Sequence, residues 1–324
     1  MPTSNRSRVC AGCGAPLDQI AYLDADYIHQ ELPVLACEGC GLVQTGVDET
    51  VASEAYAGYY GKRQSFFETI TNRLRERRIV RALRRDEPGT ILDVGCGRGG
   101  FLARMRATGW TVAGVERPGS AYEEVWKRNG IAVQTGTWDD ADFPDGSFDV
   151  VTFWHVFEHL PSPHRALQKV SRVLKPDGVL VIAVPDIAGL QARLFNSNWF
   201  HLDVPRHLFH FSLDTLSALL RRHEFTIIAV NRYSFEYDTF GAIQSALNAV
   251  CRTKNLLFDL LMRRKTLGAS VARSDFRELG DLILTAFLTP PLLALALPFC
   301  VLASWARQGG TIEVYARSVP SQPH

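Results

Sequence analysis

The sequence predicts an α/β fold built on a doubly wound, Rossmann-like sheet of seven strands. Three observations predict it. Residues 90–101 read TILDVGCGRGGF. Ile91, Leu92 and Val94 suit a buried parallel strand, Gly95, Gly97 and Gly99 follow as a turn, and a helical pattern opens at Phe101. The next strand pattern closes on Glu116, an acid about 20 residues after the loop, where it can bind the two hydroxyls of a ribose. Strand and helix patterns then alternate down the chain, and residues 311–317 (TIEVYAR) end it with one more alternating strand.

Glycine lets the backbone turn sharply and lets a ligand lie against it. A dinucleotide site uses glycines at positions one, three and six, and Gly100 formally supplies the sixth. The flanking residues point elsewhere. LDVGCGRG followed by GVE resembles the class I S-adenosylmethionine-dependent methyltransferases, over residues 90–233 and again from Gly310. The resemblance implies a seven-stranded methyltransferase sheet that binds S-adenosylmethionine. Asp93, Gly95, Cys96 and Gly97 would hold the methionine part of the cofactor, and Glu116 its ribose.

The chain has 324 residues, 46% hydrophobic and 21% charged, with net charge +1. That suits a large globular domain with an appendage and gives no general attraction to nucleic acid. The start, MPTSNRSRVCAGC, lacks an apolar h-region, so no signal peptide is expected. The seven cysteines form no disulfide framework and fit a reducing cytoplasm.

Four of those cysteines form two CxxC knuckles, Cys10/Cys13 and Cys37/Cys40, each followed by glycine. Two knuckles complete a tetrahedral, four-thiolate zinc site, which is structural because it keeps no open position. Strand-like pieces at 20–23 and 34–36 make the segment a ribbon whose folding energy would come mostly from the metal. A connector containing Tyr59 and Tyr60 follows. Residues 66–85 are helical, with Arg73, Arg75, Arg77, Arg78, Arg81, Arg84 and Arg85 on the face away from the apolar stripe. That face reads as solvated or as a contact for phosphate or anionic lipid. In the family, a helix here covers the cofactor pocket and tyrosines before it line the site, so Tyr59 and Tyr60 are carried as substrate contacts.

A helix is expected over 120–128 and a strand over 131–134. The turn at Gly136–Asp139 faces adenine in the family, and Thr137 stands where an acid is frequent, with Asp139 as its replacement. Trp138 stacks on adenine or covers the pocket wall. Residues 148–160, FDVVTFWHVFEHL, form strand four and a motif resembling the branch that includes quinone-biosynthesis methyltransferases. Ligands sit beyond the carboxyl ends of such strands. This places His155 and His159 beside the methyl donor, as general bases for the acceptor with His159 preferred, and Glu158 as orienter or loop brace. Ser162-Pro163 starts a helix to 174, and strand five covers 179–184. Residues 198–211, NWFHLDVPRHLFHF, fit no common metal spacing. PRHLxHFS resembles one methyltransferase branch in which it lies over the acceptor side, so Arg206 and His207 are read as substrate contacts. A helix capped by Ser212 and strand six, 225–230, complete this part.

Residues 233–310 lie outside the minimal fold, and 282–305 carry no charge. By length this stretch resembles a transmembrane span. Strand seven must return to the sheet, so the expectation is a helical hairpin bent at Pro290-Pro291 and inserted shallowly in one leaflet. A dimer interface or substrate lid is the other reading.

The domains are then a zinc ribbon at 1–46, a linker and helix at 47–89, the methyltransferase domain at 90–232 plus 311–319, and a helical insertion at 233–310. The expected activity is S-adenosylmethionine-dependent methylation, on oxygen, of a glycan, lipid-linked or natural-product acceptor, in the cytoplasm or at the inner face of the membrane. The alternatives are ribosomal-RNA methylation and a zinc-ribbon binding protein with a degenerate methyltransferase domain.

Overall fold

Apolar residues on both faces of the central strands demand cover on both sides, and the computed structural model supplies it. It describes residues 9–25, 30–47, 66–84, 87–118, 122–262 and 276–318. Three strands open the chain: β1 (Leu17–Ala25), β2 (Gln30–Cys37) and β3 (Val43–Thr45). Helix α1 (Phe66–Leu83) leads into β4 (Thr90–Val94), α2 (Gly100–Ala107), β5 (Thr111–Glu116), α3 (Glu123–Asn129) and β6 (Ala132–Thr135). Then come β7 (Phe148–Trp154), α4 (Pro163–Val173), β8 (Leu174–Pro185), α5 (Leu190–Phe195), the short β9 (Phe209–His210), α6 (Leu213–Arg222) and β10 (Phe225–Asn231). The insertion holds α7 (Phe235–Val250), α8 (Leu256–Leu261) and α9 (Phe276–Trp305), and β11 (Thr311–Ser318) follows.

The main sheet has the order β10-β11-β8-β7-β4-β5-β6. All pairings are parallel except those of β11, which runs antiparallel between β8 and β10. This is the Rossmann-like methyltransferase arrangement that the sequence predicts. Alternate residues feed two cores. Ile91, Val150, Val181 and Tyr315 face Ile79, Leu102, Met105 and Trp126 on one side. Leu92, Val151, Phe153, Ile182 and Val314 face Leu167, Val170, Leu216 and Leu220 on the other.

The ribbon is not a free appendage. Cys10, Leu17, Cys37 and Leu42 belong to the second of these cores. Strand β3 also pairs with β9, so a four-stranded sheet β1-β2-β3-β9 joins the ribbon to the chain's later half. Docking against this core and pairing with β9 therefore hold this segment to the rest of the chain.

Two expectations are corrected. The arginines of α1 do not form one solvated face: Arg75 is buried and Arg78 makes an ion pair with the buried Glu313. Their aliphatic stems pack while their charges find partners inside. The insertion is also no hairpin bent at Pro290-Pro291. Helix α9 runs unbroken through Pro290, Pro291 and Pro298. The hairpin is made instead by α7 and α9. Asn231 of β10 sits opposite Glu313 of β11, so the insertion leaves and rejoins the sheet at one place. Helix α7 goes out about 24 Å and α9 returns about 45 Å at 1.5 Å per residue. Ala242, Ile243 and Leu247 of α7 pack on Ala296 and Cys300 of α9. At the far end, the Asp281 carboxylate accepts hydrogen bonds from the Arg252 and Thr253 amides at 3.2 and 2.8 Å.

Where α9 rejoins the sheet, the chain passes too close to Arg232 for any side chain at Gly309: a Cβ there would strike the Arg232 carbonyl oxygen. Gly309→Ala should destabilise the protein by about 1–3 kcal/mol. Gly280, inside α9, faces open space, so Gly280→Ala should be stabilising by about 0.5–1 kcal/mol. Thermal or urea denaturation of the two variants reads both effects, and equal effects would show that this crossing is misplaced.

Candidate functional site

The cofactor side is built at the carboxyl ends of β4 and β5. Gly95, Gly97 and Gly99 all have positive φ, between 52° and 76°. At Gly95 a Cβ would strike Val156, whereas at Gly97 it would meet nothing within 4 Å. The loop thus packs tightly against the turn after β7 on one side and stays open on the other. The Gly97 amide donates to Glu116 Oε2 at 2.6 Å, and the Arg117 amide to Oε1 at 2.9 Å. A carboxylate oxygen can accept more than one hydrogen bond. Glu116 is thereby fixed at the lip of the loop. Asp93 accepts from the Thr152 hydroxyl at 2.6 Å, and burial raises its pKa to about 7. The Cys96 thiol turns into the core against Gly114, so its side chain does not stand on the loop surface.

The turn after β6 is tied differently from expectation. The Thr137 hydroxyl donates to Asp140 Oδ2 at 2.6 Å, so Asp140 closes the turn, while Asp139 pairs with Arg165 at 3.6 Å. Trp138 is buried in the wall. It lies edge-on to Phe153 with Lys169 over its ring, and its indole N–H donates to the Ala166 carbonyl. Of the two readings of Trp138, wall residue matches this placement.

Opposite the loop lies a polar cluster drawn from three parts of the chain. His155 and Glu158 come from the turn after β7. His155 has φ +55°, and its Nδ1 is 3.7 Å from Glu158 Oε1. Its ring stacks on Tyr237 of α7, centroids 3.5 Å apart. Glu158 is 1% exposed, and neither of its oxygens has a hydrogen-bond partner among the described residues. Burial raises its pKa to about 8. His159 Nδ1 donates to the Arg206 carbonyl at 2.9 Å, which leaves the Nε2 lone pair directed away from it. Burial lowers its pKa to about 4, so the ring is neutral.

Residues 200–211 close over this cluster. His207 Nδ1 donates to the His201 carbonyl at 2.8 Å, and its Nε2 lies 3.9 Å from Glu158 Oε1. The rings of His159 and His207 are 4.6 Å apart. Arg206 is 2% exposed and its guanidinium is spent on Asp203. Burial works to raise the Asp203 pKa, but the Arg206 charge outweighs it and holds the value at about 2. Arg206 thus braces the loop, and His207 faces the cluster. Thr45 of β3 donates its hydroxyl to the His207 carbonyl at 2.7 Å and lies 3.0 Å from His210 Nε2, so the ribbon supports the same loop. Tyr59 and Tyr60 lie outside the described residues.

Several contributors carry no sequence signal. Tyr237 is about 80 residues from His155 and sits in an insertion of no recognised pattern. Arg75, 4.3 Å above the Trp154 ring, is hidden in a run of surface-like arginines. In the ribbon, Cys10, Cys13, Cys37 and Cys40 converge with all four sulfurs within 4.8 Å of one another. Cys10 and Cys40 are 3.6 Å apart, Cys13 and Cys37 3.2 Å, and the Gly12 amide donates to the Cys10 sulfur. Zinc–sulfur bonds of about 2.3 Å place tetrahedral sulfurs roughly 3.8 Å apart, so the set fits zinc closely.

Comparison with known proteins agrees with this geometry. Residues 63–230, more than half of the chain, match the family model described as a methyltransferase domain, and the chain belongs to that family. It is similar to the ubiquinone biosynthesis O-methyltransferase of Actinobacillus pleuropneumoniae serotype 5b (strain L20), 34% identical over 100 residues, 28% of this chain and 43% of that protein. The chain thus spans less than half the length of that relative. It is also similar to O-methyltransferase resE of Aspergillus sclerotiorum, 28% identical over 256 residues, 74% of this chain and 90% of the other. Among solved structures, a SAM-dependent methyltransferase from Archaeoglobus fulgidus aligns with TM-score 0.45 and 19% identity, over 78% of this chain and 94% of that one.

Proposed function

We propose that the protein is an S-adenosylmethionine-dependent methyltransferase acting on an oxygen of a small or lipid-linked acceptor. The observation that carries this reading is the open glycine loop with Glu116 fixed at its lip, at the ends of β4 and β5, beside a buried polar cluster that follows the neighbouring strand β7. When bound, the cofactor supplies a methyl carbon already activated by its sulfonium. The chain's part is to hold the cofactor through Asp93, the Gly95–Gly97 backbone and Glu116, to bring the acceptor close, and to receive its proton. The His155–Glu158–His159 group performs that last task, with His159 the principal residue, and His207 meets the acceptor from above. The names of the two relatives, both O-methyltransferases, favour oxygen.

The boundaries follow the sequence reading: ribbon 1–46, linker and helix 47–89, methyltransferase domain 90–232 with 311–319, and insertion 233–310. The four thiolates hold one structural zinc. Helix α9 lies on a membrane surface. Phe287, Leu295, Ile283, Leu302 and Trp305 are each at least 60% exposed, and its 282–305 stretch carries no charge. Both ends are tied back to the protein, so the helix lies in the interface rather than crossing it. This places the enzyme in the cytoplasm at the inner face of the membrane, where an apolar acceptor would be met.

Calorimetry with S-adenosylmethionine tests the core of the reading. Glu116→Ala removes charge-assisted hydrogen bonds worth roughly 1.5–3 kcal/mol each, so affinity should fall at least about tenfold with the fold intact. His159→Ala should leave that affinity in place and lower turnover about a hundredfold or more. Wild-type protein that fails to bind the cofactor ends the proposal. Metal analysis of protein purified without chelator should give one zinc per chain, and less than about half an equivalent counts against the ribbon site. Liposome flotation decides the surface. Full-length protein should float, and replacing residues 282–305 with a short glycine linker should release it. A soluble dimer that the deletion turns into monomer would make α9 a subunit contact instead.

A further inference from the structure

We infer that Thr45 of the N-terminal ribbon is a positioning residue for the acceptor side of the pocket, and that the loop it holds sets His207 to accept a hydrogen bond from the methyl acceptor rather than to donate one. Thr45 is buried, ends β3, and stands 162 positions before His207. It meets the loop after Asp203 in three places. Its amide donates to the Leu208 carbonyl at 3.0 Å, its hydroxyl donates to the His207 carbonyl at 2.7 Å, and its Oγ1 lies 3.0 Å from His210 Nε2. The Leu208 amide in turn donates to the Glu158 carbonyl at 2.9 Å. Leu208 therefore joins the ribbon to the turn after β7 through its two backbone groups.

Counting protons fixes both histidines. A hydroxyl has one proton to give, and a carbonyl can only accept. Among the described residues no other donor reaches the His207 carbonyl, and a buried carbonyl left without one is costly. With the Thr45 proton committed there, Oγ1 has only lone pairs for His210, so that ring carries its proton on Nε2. His207 carries its proton on the other nitrogen, because Nδ1 faces the His201 carbonyl at 2.8 Å. Burial lowers both pKa values, that of His210 to about 4, so each ring keeps a single proton at neutral pH. Two histidines three residues apart thus hold opposite tautomers. His207 Nε2 is left with a lone pair, 3.9 Å from Glu158 Oε1 and 3.8 Å from Asp203 Oδ2, both beyond hydrogen-bond distance.

This inference rests on the methyltransferase reading and narrows its acceptor. A lone pair in a buried site takes a hydroxyl or an amine N–H and repels a carboxylate or phosphate oxygen. The acceptor group that meets His207 is therefore a neutral donor, which agrees with methylation of a hydroxyl-bearing molecule. Thr45 acts on it through the loop alone.

Nitrogen NMR of full-length protein labelled with nitrogen-15 histidine reads the proton positions directly, with His207→Gln and His210→Gln assigning the two rings. At neutral pH the wild type should show a protonated Nδ1 and a bare Nε2 for His207, and the reverse for His210. Thr45→Val keeps the shape of the side chain and removes the hydroxyl. It should abolish the fixed Nε2–H form of His210 and speed hydrogen exchange of the Leu208 amide at least about tenfold. Thr45→Ser, which restores the hydroxyl, should return both to the wild-type pattern. A residue that only stabilised the ribbon would lower the melting temperature and leave the nitrogens alone. The inference is overturned by a proton on His207 Nε2 or on His210 Nδ1 in the wild type. It is equally overturned by a Thr45→Val protein that matches the wild type, or by a Thr45→Ser protein that matches Thr45→Val. Should Thr45→Val fail to fold, Thr45→Ala takes its place. S-adenosylmethionine calorimetry on the same samples keeps the two proposals apart. Thr45→Val should bind the cofactor as the wild type does, and loss of that affinity would make Thr45 a general structural residue. Wild-type protein that binds no cofactor sinks the methyltransferase reading and leaves the nitrogen pattern to decide the role of Thr45.

Discussion

A carboxylate taken out of water without a donor is expensive, and the arrangement around Glu158 is organised by that expense. The residue sits on a short 3-10 turn, Phe157–His159, directly after β7. Its backbone carbonyl accepts from the Leu208 amide at 2.9 Å, which ties the turn to the loop above it. That loop is in turn stiffened by the Asp203–Arg206 pair, buried at 2% exposure on the arginine side. Glu158 is therefore held in place by backbone, and burial favours the neutral form of its side chain. The surrounding elements would not need to be so rigid if the carboxylate had only to reach solvent.

The same constraint gives the N-terminal ribbon a purpose beyond its own fold. Strand β3 has only three residues, too few for independent stability, yet it pairs on both sides, with β2 and with β9. Through it the four-cysteine cluster is connected to His207 and His210 by one continuous hydrogen-bonded sheet. The His164 ring adds a second tie, within 3.0 Å of the Gly12 carbonyl, and Arg222 donates to the same oxygen at 2.6 Å. The four-cysteine cluster at one end of this sheet is thus tied to the loop that carries His207 at the other.

Much of this was legible in the chain, for reasons that are local. Strand, glycine turn and helix at 90–107 follow from side-chain size and backbone freedom over a dozen residues, and most element ends fall within two or three residues of expectation. The knuckles announce their chemistry by spacing alone. What stayed hidden depends on residues far apart in sequence. Glu158 and His207 are separated by 49 positions and meet only because β9 crosses to the ribbon. Arg75 looked like a surface charge because helical periodicity cannot tell a solvated arginine from one laid over Trp154. Pro290-Pro291 was read as a bend on local grounds, yet the tertiary pairing of α9 with α7 carries the helix straight through.

That pairing links the apolar surface to the chemistry. Helix α7 has two ends of different character. Its first turn holds Tyr237 against His155, and His201 approaches its Gly241 so closely that a Cβ there would strike the imidazole. Its later turns, through Ala242, Ile243 and Leu247, carry α9. Some polar atoms inside the helix pair are satisfied internally, since Gln244 Nε2 donates to Asn248 Oδ1 and the Ser245 hydroxyl to the Gly241 carbonyl, whereas Asp238 Oδ1 and Thr239 Oγ1 have no hydrogen-bond partner among the described residues. The pair also brings the Tyr237 ring onto His155. Helix position and pocket shape are thus coupled through a single rigid element, so a contact made by α9 bears directly on how Tyr237 and His155 are set.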